Sequence, residues 1–84
     1  MRWHTRMRTT RYFDEIRRRP DRAVIDETWI YRVVNGPAHE RVQSDGRIRR
    51  WGRVPEAGNR WLRVVVLKDG MTVHNAFFDR RFKP

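Results

Sequence analysis

Cysteine is absent from the chain, and lysine occurs only at positions 68 and 83. Without thiols there is no disulfide framework and no thiolate zinc site. Histidine is also sparse, and His4, His39 and His74 are too dispersed to suggest a metal centre. No cofactor is expected, because neither a glycine-rich phosphate loop nor a nucleophile elbow can be found. No apolar run approaches the roughly 20 residues of a membrane span. The basic start Met1-Arg2-Trp3-His4-Thr5-Arg6-Met7-Arg8 is not followed by an apolar stretch, so a secretory signal is not expected. These absences point to a cytoplasmic protein without a membrane partner.

What the chain does have is arginine. Lys and Arg total 20 of 84 residues against 10 acids, a net charge of +10. Such an excess opposes compaction and is relieved by a polyanion or an acidic partner. Its distribution is uneven. Residues 1–22 and 47–63 are strongly basic, whereas residues 23–46 carry more acids than bases. The richest run is Arg47-Ile48-Arg49-Arg50-Trp51-Gly52-Arg53, followed by Arg60-Trp61-Leu62-Arg63. Guanidinium groups grip phosphates bidentately, and interleaved aromatics stack on bases. RNA is therefore the expected partner, with Arg47, Arg49, Arg50, Trp51 and Arg53 as candidate contacts. A coding bias toward arginine would give the same count on a merely solvated surface.

Four Trp, four Phe and two Tyr argue for a packed domain rather than a disordered chain. Residues 1–9 lack periodicity and read as a basic arm, in which His4, Arg6 and Arg8 alternate. Residues 10–84 read as a single domain. Thr9 or Thr10 can cap a helix carrying Phe13 and Ile16, which Pro20 stops. Asp26 can cap a second helix in which Trp29, Ile30, Val33 and Val34 share one face, and Asn35-Gly36-Pro37 ends it. Its start could lie earlier, near Asp21.

From His39 onward the period becomes two. Strands are expected at 39–44, 47–54, 61–67 and 71–77, with turns at Asp45-Gly46 and Lys68-Asp69-Gly70. The expected fold is α+β: two N-terminal helices packed on one face of a four-stranded antiparallel sheet. Alternation sends Ile48, Leu62, Val64, Val66 and Val73 toward the helices. Arg47, Arg49, Trp51, Arg53, Arg63 and His74 then face the other way, provided that no bulge intervenes.

On that face, Arg49, Trp51, Arg63 and His74 come from three consecutive strands. Arginines would clamp a phosphodiester, the indole would stack on a base, and a histidine would move a proton. Arg63 and His74 are thus candidate catalytic residues. Arg80 and Arg81, in the tail Phe78-Asp79-Arg80-Arg81-Phe82-Lys83-Pro84, could add charge at the sheet edge. A structural stack of Trp51 and Arg63 on a solvated face is the competing reading.

Three stretches carry a family resemblance. They are Gln43-x-Asp45-Gly46-Arg47-x-Arg49-x-Trp51, then Leu62-Arg63-Val64-Val65, then Asp69-Gly70-x-Thr72-Val73-His74-Asn75-Ala76-Phe77-x-Asp79-Arg80-x-Phe82. Together they resemble an uncharacterised family of small bacterial proteins. In layout that family is similar to the RelE/ParE-like toxins, particularly the BrnT-like branch, over about residues 10–82. The resemblance implies a RelE-like fold and metal-independent cleavage of mRNA, with or without the ribosome, as the toxin of a toxin–antitoxin pair. It also implies an acidic antitoxin as partner. The residues matching its basic sheet face and tail are Arg49, Arg63, His74, Arg80 and Arg81. Two alternatives stand beside this expectation: a non-enzymatic nucleic-acid-binding module and a ParE-like poison directed at a protein.

Overall fold

A computed structural model describes residues 7–84. Three short helices precede four strands: α1 (Arg11–Ile16), α2 (Pro20–Ala23), α3 (Glu27–Asn35), β1 (His39–Val42), β2 (Ile48–Val54), β3 (Arg60–Val66) and β4 (Val73–Phe78). The strands form one antiparallel sheet in the order β1-β2-β3-β4. A single 3-10 turn (Pro55–Ala57) joins β2 to β3.

Local chemistry accounts for most boundaries. The Thr10 hydroxyl accepts a hydrogen bond from the Phe13 N–H at 3.1 Å and caps α1. Asp26 caps α3 in the same way, accepting from Thr28 N at 2.7 Å. Pro20 does more than end a helix. It occupies the first position of α2, where its missing N–H costs nothing. The expected left-handed cap after α3 does not form, because Gly36 has φ −147° while its N–H still bonds to Arg32 O at 2.8 Å. The expected turns are made with Gly46 and Gly70 at positive φ, 90° and 74°.

The core joins Phe13, Ile25, Ile30 and Val33 from the helical half to Val54, Leu62, Val64, Val66, Val73 and Ala76 from the sheet. Leu62, Val64, Val66 and Val73 are completely buried. β3 reads as the central apolar strand because both of its neighbours are strands and α3 contacts it. Gly52 of β2 lets α3 come close, since a Cβ there would lie 2.9 Å from Val33 Cγ2.

One irregularity changes the outward pattern. Val65 pairs with Asn75 but Val66 pairs with Val73, so His74 is an extra residue in β4. The bulge keeps Val73 inside and turns Ala76, rather than Asn75, toward the core. Just before α1, the chain pairs in parallel with the same strand: Thr10 N donates to Val73 O at 3.0 Å, and Val73 N donates to Arg8 O at 2.8 Å. Arg8 is exposed beside this pairing, whereas His4 and Arg6 lie outside the described residues. No helix among the described residues is long and apolar enough to cross a membrane.

Candidate nucleic-acid interface

The face of the sheet away from the core is ordered by strand register. His39, Trp51, Arg63 and Phe77 are successive cross-strand partners and form one row. Arg41 and Arg49 are direct partners in the next row. Arg53 and Trp61 pair on the other side of the first row. Two-residue alternation thus gathers onto one surface side chains that are far apart in sequence.

The tail folds over this face. The Phe82 ring stacks on Trp51 with centroids 4.3 Å apart and planes 12° apart. Trp51 is only 3% exposed. Its indole N–H donates to Asp79 Oδ2 at 2.9 Å. Arg63 binds the same oxygen through Nε at 3.0 Å and through Nη2 at 2.9 Å. The Arg81 backbone N–H donates to the other oxygen at 3.1 Å. Burial pushes the Asp79 carboxyl up. The hydrogen bonds from Trp51 and Arg63, with the Arg63 charge and the Arg81 N–H, outweigh that and hold it below its ordinary value. Asp79 is an ionised anchor at neutral pH.

Around this anchor lies a concavity of about 250 Å³, lined by Arg41, Arg49, Trp51, Arg63, Asp79, Arg81, Phe82 and Lys83. It holds five cations and one carboxylate, and that carboxylate is engaged by Arg63. Arg49 donates to the neutral Gln43 Oε1 at 2.9 Å. Arg41 faces Arg49 across the β1–β2 ladder, and no acid pairs with either guanidinium among the described residues. Like charges directly opposite each other on one face repel, and a bound anion relieves that repulsion.

Arg49, Arg63 and Arg81 therefore meet in one site, whereas Arg80 is exposed and is not among its lining residues. Arg53 shares the face but stands over the Trp61 ring, 4.4 Å from its centroid. One expected placement changes, that of His74, and two further candidate contacts are engaged within the fold. Trp51 is on the predicted face but covered by Phe82, so its ring offers no free surface for a base. Arg50 faces the helical side, where it pairs with Glu40 at 2.7 Å and donates to the backbone oxygens of Val34 and Gly70. His74 is not among the residues that line the concavity. The bulge carries it to α1, where its ring stacks on Tyr12 at 4.9 Å and Nδ1 meets Thr10 Oγ1 at 3.0 Å. Arg47 is half-buried in the β1–β2 turn, 3.7 Å from Asp45.

Sequence reasoning missed three parts of the site. Arg41 was legible as the outward residue of an expected strand opposite Arg49. Asp79 stands in the third motif stretch, but the sequence assigns it no role, because that role depends on the tail folding back. In the sequence, nothing distinguishes Lys83 from the other cations of the basic tail. No group of His, Cys, Asp and Glu among the described residues could hold a metal ion. In comparisons with known proteins, no family model matches the chain, and no curated protein or solved structure matches it significantly.

Proposed function

We propose that the chain is an RNA-binding protein that holds the phosphate backbone in the arginine concavity of its open sheet face. The observation that carries this reading is the Arg41–Arg49 pair, two like charges in direct register with no acid paired to either guanidinium among the described residues. Arg81 and Lys83 reinforce the same field, while Asp79 is already occupied by Arg63. Guanidinium pairs of this kind suit phosphate oxygens better than lysines do, because the fork matches two acceptors at once.

A toxin-like, metal-independent endoribonuclease is the second reading. It is favoured by the placement of Arg63 and Arg81 in one concavity, where they would stabilise charge on a phosphorane. On that reading the basic face would also be what an acidic antitoxin covers. His74 does not line the concavity and is engaged by Tyr12 and Thr10, which favours binding over a histidine-assisted cleavage.

The test is a titration of labelled RNA at several salt concentrations. Affinity is expected to fall steeply with salt, and each lost phosphate contact should flatten the slope by about 0.7. Arg41→Ala and Arg49→Ala should each show that flattening. Arg32→Ala, which removes the same charge from α3 on an exposed pair with Glu56, should not. A flat salt response, or no binding at low salt, would overturn the reading. Scission of the RNA by the parent protein would add the toxin-like activity.

A further inference from the structure

The Phe82 ring has two neighbours besides Trp51. His39 stands 5.4 Å from it at 61°, and Trp61 stands 5.0 Å from it at 76°. His39 and Trp61 are themselves 5.5 Å apart and tilted by 66°. Phe82 thus lies nearly parallel to the buried Trp51, with two steeply inclined rings beside it. One face is spent on Trp51. The half-buried ring still lines the concavity that holds Arg41, Arg49, Arg81 and Lys83. His39 is exposed, and Trp61 is half-buried beneath the Arg53 guanidinium.

We infer that Phe82, flanked by His39 and Trp61, is a stacking seat for one unpaired nucleobase, and that the protein selects single-stranded over duplex RNA. This rests on the arginine concavity being a phosphate site. A flat aromatic floor takes any base, because every base has a π-face. A base inside a duplex has both faces covered by its neighbours and cannot reach a floor walled on two sides. The cations lining the same concavity set the ligand's sign, since they repel a cationic guest and attract the phosphate next to the stacked base. A duplex would be held through its phosphates alone.

The experiment compares one short labelled oligoribonucleotide, free and annealed to its complement, by fluorescence anisotropy at fixed salt. The single strand should bind about tenfold more tightly. Phe82→Leu keeps an apolar cover on Trp51 but removes the stacking face. It should lower single-strand affinity about tenfold and leave duplex affinity unchanged. His39→Ala removes one wall at an exposed position and keeps both rings of the Trp51–Phe82 stack, and should lower single-strand affinity several-fold even if Phe82→Leu destabilises the fold. Equal affinity for both RNA forms, or no loss in either variant, with Arg41→Ala still weakening binding, would overturn the base seat alone. Failure of the parent protein to bind either RNA at low salt would overturn the phosphate site beneath it.

Discussion

The Trp51 indole and the Asp79 carboxylate are joined across 2.9 Å beneath the Phe82 ring, tying the middle of the sheet to the tail. Arg63 completes the knot by binding the same carboxylate oxygen. A tryptophan that the sequence presents as a surface residue is thereby made part of the fold. The tail that covers it also carries Arg81, Phe82 and Lys83 into the site.

Removing Asp79 should therefore loosen both. Asp79→Ala leaves the buried indole N–H and the Arg63 guanidinium without their partner, at a cost of about 3 kcal/mol. Trp51 emission should shift to the red as Phe82 lifts away. The carboxyl of Asp79 lies below its ordinary value of 3.8 in the folded state. Its contribution is thus present above that pH and is lost as the pH falls through the lower, folded value. Asp79→Asn should unfold with a flatter pH dependence than the parent below about pH 4. An unchanged Tm and emission maximum in Asp79→Ala would show that the tail is held by other contacts.

The meander was legible because its signals are local and repeated. Leu62, Val64 and Val66 recur at every second position of β3, and Asp45-Gly46 and Lys68-Asp69-Gly70 mark the turns of the meander. The outward placement of Arg49, Trp51 and Arg63 followed from the same period. His74 departs from that period because a bulge inserts one residue without any mark in the pattern. Arg50 shows a different failure. Alternation correctly separates it from Arg49, but its charge alone made it look like a ligand contact. In the fold it satisfies Glu40 and two backbone carbonyls instead. The cover on Trp51 was illegible because the tail's return is set by tertiary contacts, with Asp79 N bonding to Trp61 O at 2.9 Å.

Gly52 offers a test of how closely α3 sits on the sheet. A methyl group there would meet Val33 Cγ2 at 2.9 Å, inside van der Waals contact. Gly52→Ala should cost about 1–3 kcal/mol through overpacking. Adding Val33→Ala vacates that space, so the double variant should be less destabilised than the sum of the two single changes. Thermal unfolding of the four proteins in this cycle measures the coupling. Strict additivity would mean that the helix does not contact the sheet at Gly52.

His74 should report on the fold and not on RNA. Burial lowers its pKa, the Arg47 charge lowers it further, and Asp45 opposes them more weakly. A folded pKa below the ordinary 6.5 means that the unfolded chain binds the proton more readily. The stability this neutral ring contributes is complete above pH 6.5 and declines as the pH falls through the folded value. The parent Tm should accordingly drop between about pH 7 and pH 5 by more than that of His74→Gln, which cannot take up the proton. In the neutral ring, Nδ1 is free to accept from the Thr10 hydroxyl, whose oxygen meanwhile caps α1, so His74→Ala should also lower Tm at neutral pH. RNA affinity in His74→Ala should stay within about twofold of the parent, because the site lies beyond its contacts. Any RNA cleavage should persist as well. A variant that kept its Tm yet lost binding or cleavage would return His74 to the site and overturn the separation described above.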